Sequence, residues 1–438
     1  MDTILTSLTT NMFIAAAVLV VSYIAIFSEI IHRTSAAIIG AVSIVVLGMF
    51  FGFYSQEAAL KSIDANTLLL LAGMMMVVAM LRPTGIFQYI AIRLAKVSNK
   101  NPRMLLFYIS LTVTLISMVL DNVTTVIIFA PITVLITRML KLNPVPYLMA
   151  EAILSNIGGA STLVGDPPNI MIGSAAGINF SSFLFHMAPP VLLVWLCTIA
   201  LLFLLFHRQL SEPIGGTIDL DEKRAIKDEK NLKKGLGALL VIVLLFFIHH
   251  RFHLYPAFVT FIGLSLALML IQPKPEELFG EVNWSVLFFF AGLFVIVGGV
   301  EASGLLHLIG KELAHMASEP QMLLKAALLL MWVSALLSAV VDNIPFTVAM
   351  IPIIHGLDDN GINISPLWWA LAIGVGLGGN GTHIGATANI IVVAESEKSG
   401  IEGARITPLQ WLRIGLPAMF ASLVVTSIAF VLFFEFFQ

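Results

Sequence analysis

Four acidic residues, Asp121, Glu151, Asp166 and Asp342, stand inside or at the edges of otherwise apolar stretches. A carboxyl group at membrane depth is costly and rare, so each is a functional candidate by default. Burial disfavours the charged form of a carboxyl, which suits such a group to proton exchange near neutral pH. The competing reading is an acid that only caps a half-helix N-terminus. The polar residues beside them recur. Asp121-Asn122 is followed by Pro131-Ile132, and Asp342-Asn343 by Pro352-Ile353, at the same spacing. Likewise 158–170 reads GGASTLVGDPPNI and 378–390 reads GGNGTHIGATANI, sharing Gly-Gly, a Thr, a Gly and Asn-Ile. Each island interrupts an apolar run. Irregular backbone at that depth survives only where it is buried in protein or lines a watery cavity. Freed amides and carbonyls at such breaks, with Asn, Ser and Thr side chains, can bind a small polar solute or an ion. The alternative is that Gly and Pro merely allow close packing or a kink.

These positions give the candidate substrate-binding residues Asn122, Thr124, Gly159, Ser161, Thr162, Asn169, Asn343, Gly379, Asn380, Thr382 and Asn389. Candidates for proton or cation coupling are Asp121, Asp342, Asp166, Glu151 and His383. His383 replaces Leu163 at the matching place of the second break, and a lone histidine there reads as a hydrogen-bonding liner before a proton relay.

The elements that must hold these residues are membrane spans. Of 438 residues, 58% are hydrophobic and 11% charged, with a mean hydropathy of +0.98. A soluble domain is about a quarter charged. A span needs about 20 mostly apolar residues. Such runs lie near 11–31, 34–54, 66–82, 184–206, 234–250, 255–272, 283–300 and 409–434, with interrupted ones at 104–140, 145–177, 322–356 and 366–395. The N-terminus lacks the basic stretch of a cleaved signal peptide, so the first run is expected to be retained.

The motif pairs are displaced by 221 positions (121 to 342) and 220 positions (158 to 378), which marks an internal repeat. Segment 82–103 carries Arg82, Arg93, Lys96, Lys100 and Arg103 with no acid. Its counterpart, 300–325, carries Lys311 and Lys325 against Glu301, Glu312 and Glu319. The positive-inside rule then puts the first in the cytoplasm and the second outside. The expected fold is an all-α polytopic membrane protein of two inverted-topology repeats, each with five spans, a re-entrant hairpin and a broken helix. Residues 1–206 form the first repeat, 207–233 a cytoplasmic linker and 234–438 the second repeat. Both termini are expected outside an inner (plasma) membrane.

Several function classes are excluded or disfavoured. No basic surface suggests nucleic acid. The single cysteine, Cys197, rules out a disulfide framework and any multi-thiol metal site within one chain. Gly374, Gly376 and Gly379 spell G-x-G-x-x-G, but inside a membrane segment rather than after a strand. His249, His250 and His253 lie at a span end beside Arg251, where interfacial solvation explains them better than a metal. No H-E-x-x-H or G-x-S-x-G is present, so no enzyme, cofactor or bound metal is expected.

The stretches LDNVTTVIIFAPI (120–132), GGASTLVGDPPNI (158–170), VDNIPFTVAMIPI (341–353) and GNGTHIGATANI (379–390) resemble the ion transporter superfamily over essentially the whole chain. Within it they are most similar to the branch holding arsenite efflux pumps (ArsB), sodium/proton antiporters (NhaD) and the melanosomal P protein. Dicarboxylate carriers of the superfamily have Ser-Asn-Thr at the hairpin tips, where this chain has Asp121-Asn122 and Asp342-Asn343. Two carboxylates repel a dianion, so an organic anion fits less well than a neutral solute or a cation. The resemblance implies proton-coupled efflux of arsenite and antimonite as the neutral trihydroxide, recognised as a polyol by Asn122, Thr124, Asn169, Asn343, Thr382 and Asn389. The alternative is sodium/proton antiport. Expected partners are that small inorganic substrate, protons and the lipid bilayer, with a cytoplasmic ATPase subunit on the linker and a second copy of the chain as further candidates.

Overall fold

A computed structural model describes residues 9–28, 30–99, 101–216, 221–309, 320–340, 343–358, 362–401 and 403–438. Every regular element among them is helical. Eight helices are long and apolar enough to cross a membrane, and Thr10–Ile26, Pro102–Ser117 and Pro256–Ile271 are shorter apolar helices. Their outer faces carry large exposed side chains such as Phe50, Leu204 and Phe258. Apolar patches on this scale mark a protein or membrane contact, and helices this long and apolar make it the membrane. This is a multi-pass membrane protein.

Each polar island is a break. The first hairpin runs from Pro102–Ser117 to Asn122–Leu140, and the second from Pro320–Val340 to Asn343–Asp358. Asp121 ends the first turn by accepting from the Thr124 amide at 2.8 Å, so it is the N-cap of the second arm. The first broken helix stops at Gly159 and resumes at Pro167; the second stops at Gly378 and, after a short 3-10 turn, resumes at Thr387. The chain doubles back tightly at each. A Cβ on Gly159 would lie 2.5 Å from the Gly165 carbonyl oxygen, and one on Gly379 would lie 2.9 Å from that of Gly385.

The packing pairs are reciprocal. Helix Arg33–Phe51 packs on Trp284–Ala302, while Pro256–Ile271 packs on Ala65–Leu81. The second arm of each hairpin packs on the far helix of the other half's break, Asn122–Leu140 on Thr387–Lys398 and Asn343–Asp358 on Pro167–Ala176. The four breaks therefore meet in one region.

Two helices lie in the charged segments. Helix Glu229–Ile248 begins inside the charged 207–233 segment. Residues 86–97, within the basic stretch, form an amphipathic helix that also carries Arg93 and Lys96. Glu222 of the linker bonds both, Arg93 at 3.5 Å and Lys96 at closer range, and the Lys227 amide donates to the Thr84 carbonyl at 2.9 Å.

Candidate functional site

Where the breaks meet, one amide joins three others. Asn156 sits on Val145–Gly159, 1% exposed. Its Nδ2 donates to Oδ1 of Asn380 (2.9 Å) and Oδ1 of Asn389 (3.1 Å), and its Oδ1 accepts from Nδ2 of Asn122 (3.1 Å). Asn389 is held from behind, its Nδ2 donating to the carbonyls of Gly379 (2.7 Å) and Thr382 (2.8 Å). Asn169 makes the matching pair in the first break, to Gly159 (3.0 Å) and Thr162 (2.9 Å). Three buried side-chain atoms in these breaks have no partner: Oδ1 of Asn122 and Nδ2 of Asn380 in the cluster, and Oδ1 of Asn169 in the first break. Buried polar atoms are seldom left so, because each forfeits its hydration.

A cavity of about 370 Å³ is lined by Asp121 and Thr124, chain neighbours of Asn122, and by Pro167, Ile344, Thr387, Arg33, Phe289, Arg82 and Glu281. Arg33 donates to Thr387 Oγ1 at 3.2 Å, with its guanidinium 5.4 Å from the Phe289 ring centroid. Arg82 and Glu281 pair at 3.3 Å, both about half-exposed. A second cavity of about 290 Å³ is bounded by Lys61, Asp64, Glu301 and the second hairpin's Val348, Ile351 and Pro352. The first cavity reaches the first hairpin tip at Asp121 and the second hairpin tip at Ile344, and among the described residues the second cavity touches the second hairpin at Val348, Ile351 and Pro352.

The citrate transporter family model (CitMHS) matches residues 23–374. The chain belongs to the citrate transporter family. It is 37% identical over 426 residues to the 46 kDa membrane protein of Mycobacterium leprae, spanning 95% of this chain and 97% of that protein. An uncharacterized transporter of Mycobacterium tuberculosis is 36% identical over 424 residues, with the same coverage of both chains. The human P protein is 32% identical over 501 residues, covering 96% of this chain and 59% of the P protein. A membrane transporter, not an enzyme, is the role these relatives support.

In this citrate transporter family member the residues singled out by sequence divide into groups. Asn122, Asn380 and Asn389 belong to the amide cluster, and Asn169 holds the first break through the Gly159 and Thr162 carbonyls. Asn343, on the second hairpin tip, reaches the first break instead, its Nδ2 lying 3.3 Å from Asp166 Oδ2. Asp166 therefore contacts the opposite hairpin rather than capping its own helix with its side chain. Thr162 and Thr382 spend their hydroxyls on the last carbonyls of the adjoining hairpin arms, Met118 (2.7 Å) and Ala339. Gly159 and Gly379 supply carbonyls that Asn169 and Asn389 occupy. Ser161 donates to the Gly158 carbonyl at 2.6 Å and faces a separate apolar cavity with Leu111 and Trp195. Thr124 lines the first cavity and donates its hydroxyl to Asp121 Oδ2 at 2.5 Å.

Glu151 is fully buried, bonded through Oε1 to the Thr133 hydroxyl, and its Oε2 has no partner. It does not line the 370 Å³ cavity. His383 is half-buried at the second break. Asp342 lies outside the described residues. His249 is accounted for without a metal, Nδ1 bonding the Leu254 carbonyl (2.7 Å) and Nε2 accepting from the Phe180 amide (3.4 Å). Among the described residues no group of three or more His, Cys, Asp or Glu side chains is arranged to hold a metal ion.

Sequence reasoning missed Asn156 and Arg33. Asn156 was legible only as an amide in a run of apolar helix two residues before Gly158-Gly159. Arg33 reads as an interfacial charge until the fold brings it to Thr387.

Proposed function

We propose that the chain is a secondary active transporter that expels arsenite and antimonite as neutral trihydroxides, driven by inward proton movement. The observation that carries this is the set of unpartnered buried amide atoms in the breaks: two acceptors, Asn122 Oδ1 and Asn169 Oδ1, and one donor, Asn380 Nδ2. A neutral trihydroxide both donates and accepts, so a mixed amide set matches it. A bare cation would use only the acceptors, and a polyanion would want donors and countercharge. Three-thiolate capture of arsenic is closed to a chain whose one cysteine, Cys197, lies on the unbroken helix Phe180–Leu205. Asp121, lining the adjoining cavity, is the group that takes the proton.

The two halves, 1–206 and 234–438, are inverted repeats on this reading, with 207–233 and the 370 Å³ cavity on the cytoplasmic side and both termini outside an inner membrane. The larger cavity, which touches both hairpin tips at Asp121 and Ile344, is on this reading the route from the cytoplasmic side. Everted membrane vesicles test the proposal: energised vesicles should accumulate As(III), and vesicles that accumulate none would refute it.

A second reading, sodium/proton antiport, is favoured by two unpartnered amide oxygens, Asn122 Oδ1 and Asn169 Oδ1, in the breaks that also carry Asp121 and Asp166, since hard cations prefer oxygen ligands. It predicts that sodium dissipates an imposed ΔpH. Carriage of citrate, which the family is named for, has Arg33 in the cavity in its favour and Asp121 in the same cavity against it.

A further inference from the structure

We propose that Asn156 is a positioning residue that sets the polarity of the substrate site, making Asn122 present an acceptor and Asn380 a donor. The inference deepens the functional reading above and rests on it for the choice of solute.

Two backbone carbonyls fix the first orientation, since a carbonyl can only accept. Because the Gly379 and Thr382 carbonyls take both Nδ2 hydrogens of Asn389, Asn389 must turn its Oδ1 toward Asn156. An oxygen there demands a donor, so Asn156 turns its Nδ2 to Asn389 and, in the same stroke, to Asn380. Its Oδ1 is left pointing at Asn122, which answers with Nδ2. The two outer amides have then used opposite ends, leaving Asn122 Oδ1 and Asn380 Nδ2 unpartnered. Every orientation in the chain follows from the first.

The internal repeat shows what Asn156 adds. Asn169, the counterpart of Asn389, is pinned in the same way by the Gly159 and Thr162 carbonyls. The position equivalent to Asn156, displaced by 220, is Gly376, which has no side chain to meet Asn169 Oδ1. That oxygen accordingly stays open. One half of the repeat thus offers a bare acceptor, and the other converts its acceptor, through Asn156, into a donor on Asn380. A site with matched halves would have lacked that donor.

The test uses the full-length protein in two arms. In the first, melting of detergent-purified variants is compared. Asn380→Asp keeps the oxygen that Asn156 needs and loses an unpartnered Nδ2, so it should carry only the cost of a buried carboxyl, which Asn122→Asp shares. Asn122→Asp sets an oxygen against Asn156 Oδ1 and should melt well below Asn380→Asp, recovering at acid pH where the carboxyl can donate. Asn122→Asp melting at or above Asn380→Asp would overturn the inference, and this arm needs no substrate. In the second, proteoliposomes carrying wild type, Asn156→Asp or Asn380→Asp are assayed for As(III) uptake and for inhibition by sodium. Either substitution turns the Asn380 donor into an acceptor, so As(III) KM should rise about tenfold and sodium should inhibit about tenfold more strongly, each being one hydrogen bond's worth. Unchanged As(III)-to-sodium preference in a folded Asn380→Asp protein that still moves As(III) would overturn the inference. Wild type that moves no As(III) would defeat the functional reading alone, with the melting arm still deciding this one.

Discussion

Substituting Leu for Asn389 and, separately, for Asn169 weighs the amide cluster bond by bond. Leu is close to Asn in size, so neither change opens room for a water to replace the lost amide. Asn169→Leu strips one partner each from the Gly159 and Thr162 carbonyls; Gly159 keeps the Thr162 amide at 3.4 Å. Asn389→Leu does the same to Gly379 and Thr382, where Thr382 keeps the Gly385 amide at 3.3 Å. A buried group left unsatisfied costs about 1–3 kcal/mol, and a retained weak partner argues for the lower end. Each substitution should therefore destabilise by about 2–3 kcal/mol from the carbonyls alone. Asn389→Leu also removes an acceptor from Asn156 Nδ2, at 3.1 Å, adding about 1 kcal/mol. Unfolding in mixed micelles titrated with a denaturing detergent gives both values on one scale. The expected order is wild type, Asn169→Leu, Asn389→Leu. Equal costs, or a larger cost at Asn169, would refute the bonding scheme, as would losses below about 0.5 kcal/mol at both sites.

Three further outcomes are expected. Asp121→Asn can still cap the Thr124 amide, so the protein should fold and exchange As(III) at equilibrium while losing ΔpH-driven accumulation; full ΔpH response in that variant would remove Asp121 from the proton path. Glu151→Gln keeps the Thr133 hydrogen bond and removes a buried carboxyl whose Oε2 has no partner, so stability should change by no more than about 1 kcal/mol and ΔpH-driven uptake should persist; loss of coupling there would move the proton site to Glu151. On the linker, the hydrogen bond from Lys96 holds the Glu222 carboxyl below the usual carboxylate range. A depressed carboxyl favours the docked form above its free value and loses that preference as pH falls through the depressed one, so docking should hold at neutral pH and release in acid. Limited proteolysis of 207–228 should accelerate in acid, and Glu222→Gln should show the acid rate at neutral pH.

Much of this architecture is written in local sequence. Gly158-Gly159 and Pro167-Pro168 stop and restart a helix by backbone chemistry that does not wait for tertiary context, and the same holds for Asp121 as a cap. Repetition did the rest, since a polar island seen twice at one displacement is unlike a chance kink. The same device hid Asn156. Its counterpart is Gly376, so a search for matched polar pairs passes over the residue that breaks the match. Thr162 and Thr382 are the converse case: they match, but their hydroxyls tie each break to a hairpin arm rather than facing a solute. Arg33 could be placed only by the fold, because its contacts with Thr387 and Phe289 span the two halves.

The central claim is that this site carries a neutral hydroxylated solute against protons. Its most direct test is a side-by-side assay, in one proteoliposome preparation with an imposed ΔpH, of As(III) uptake and sodium-dependent proton flux. The account predicts As(III) accumulation that collapses with the gradient and no proton flux on adding sodium. Sodium-dependent proton flux without As(III) uptake would contradict it.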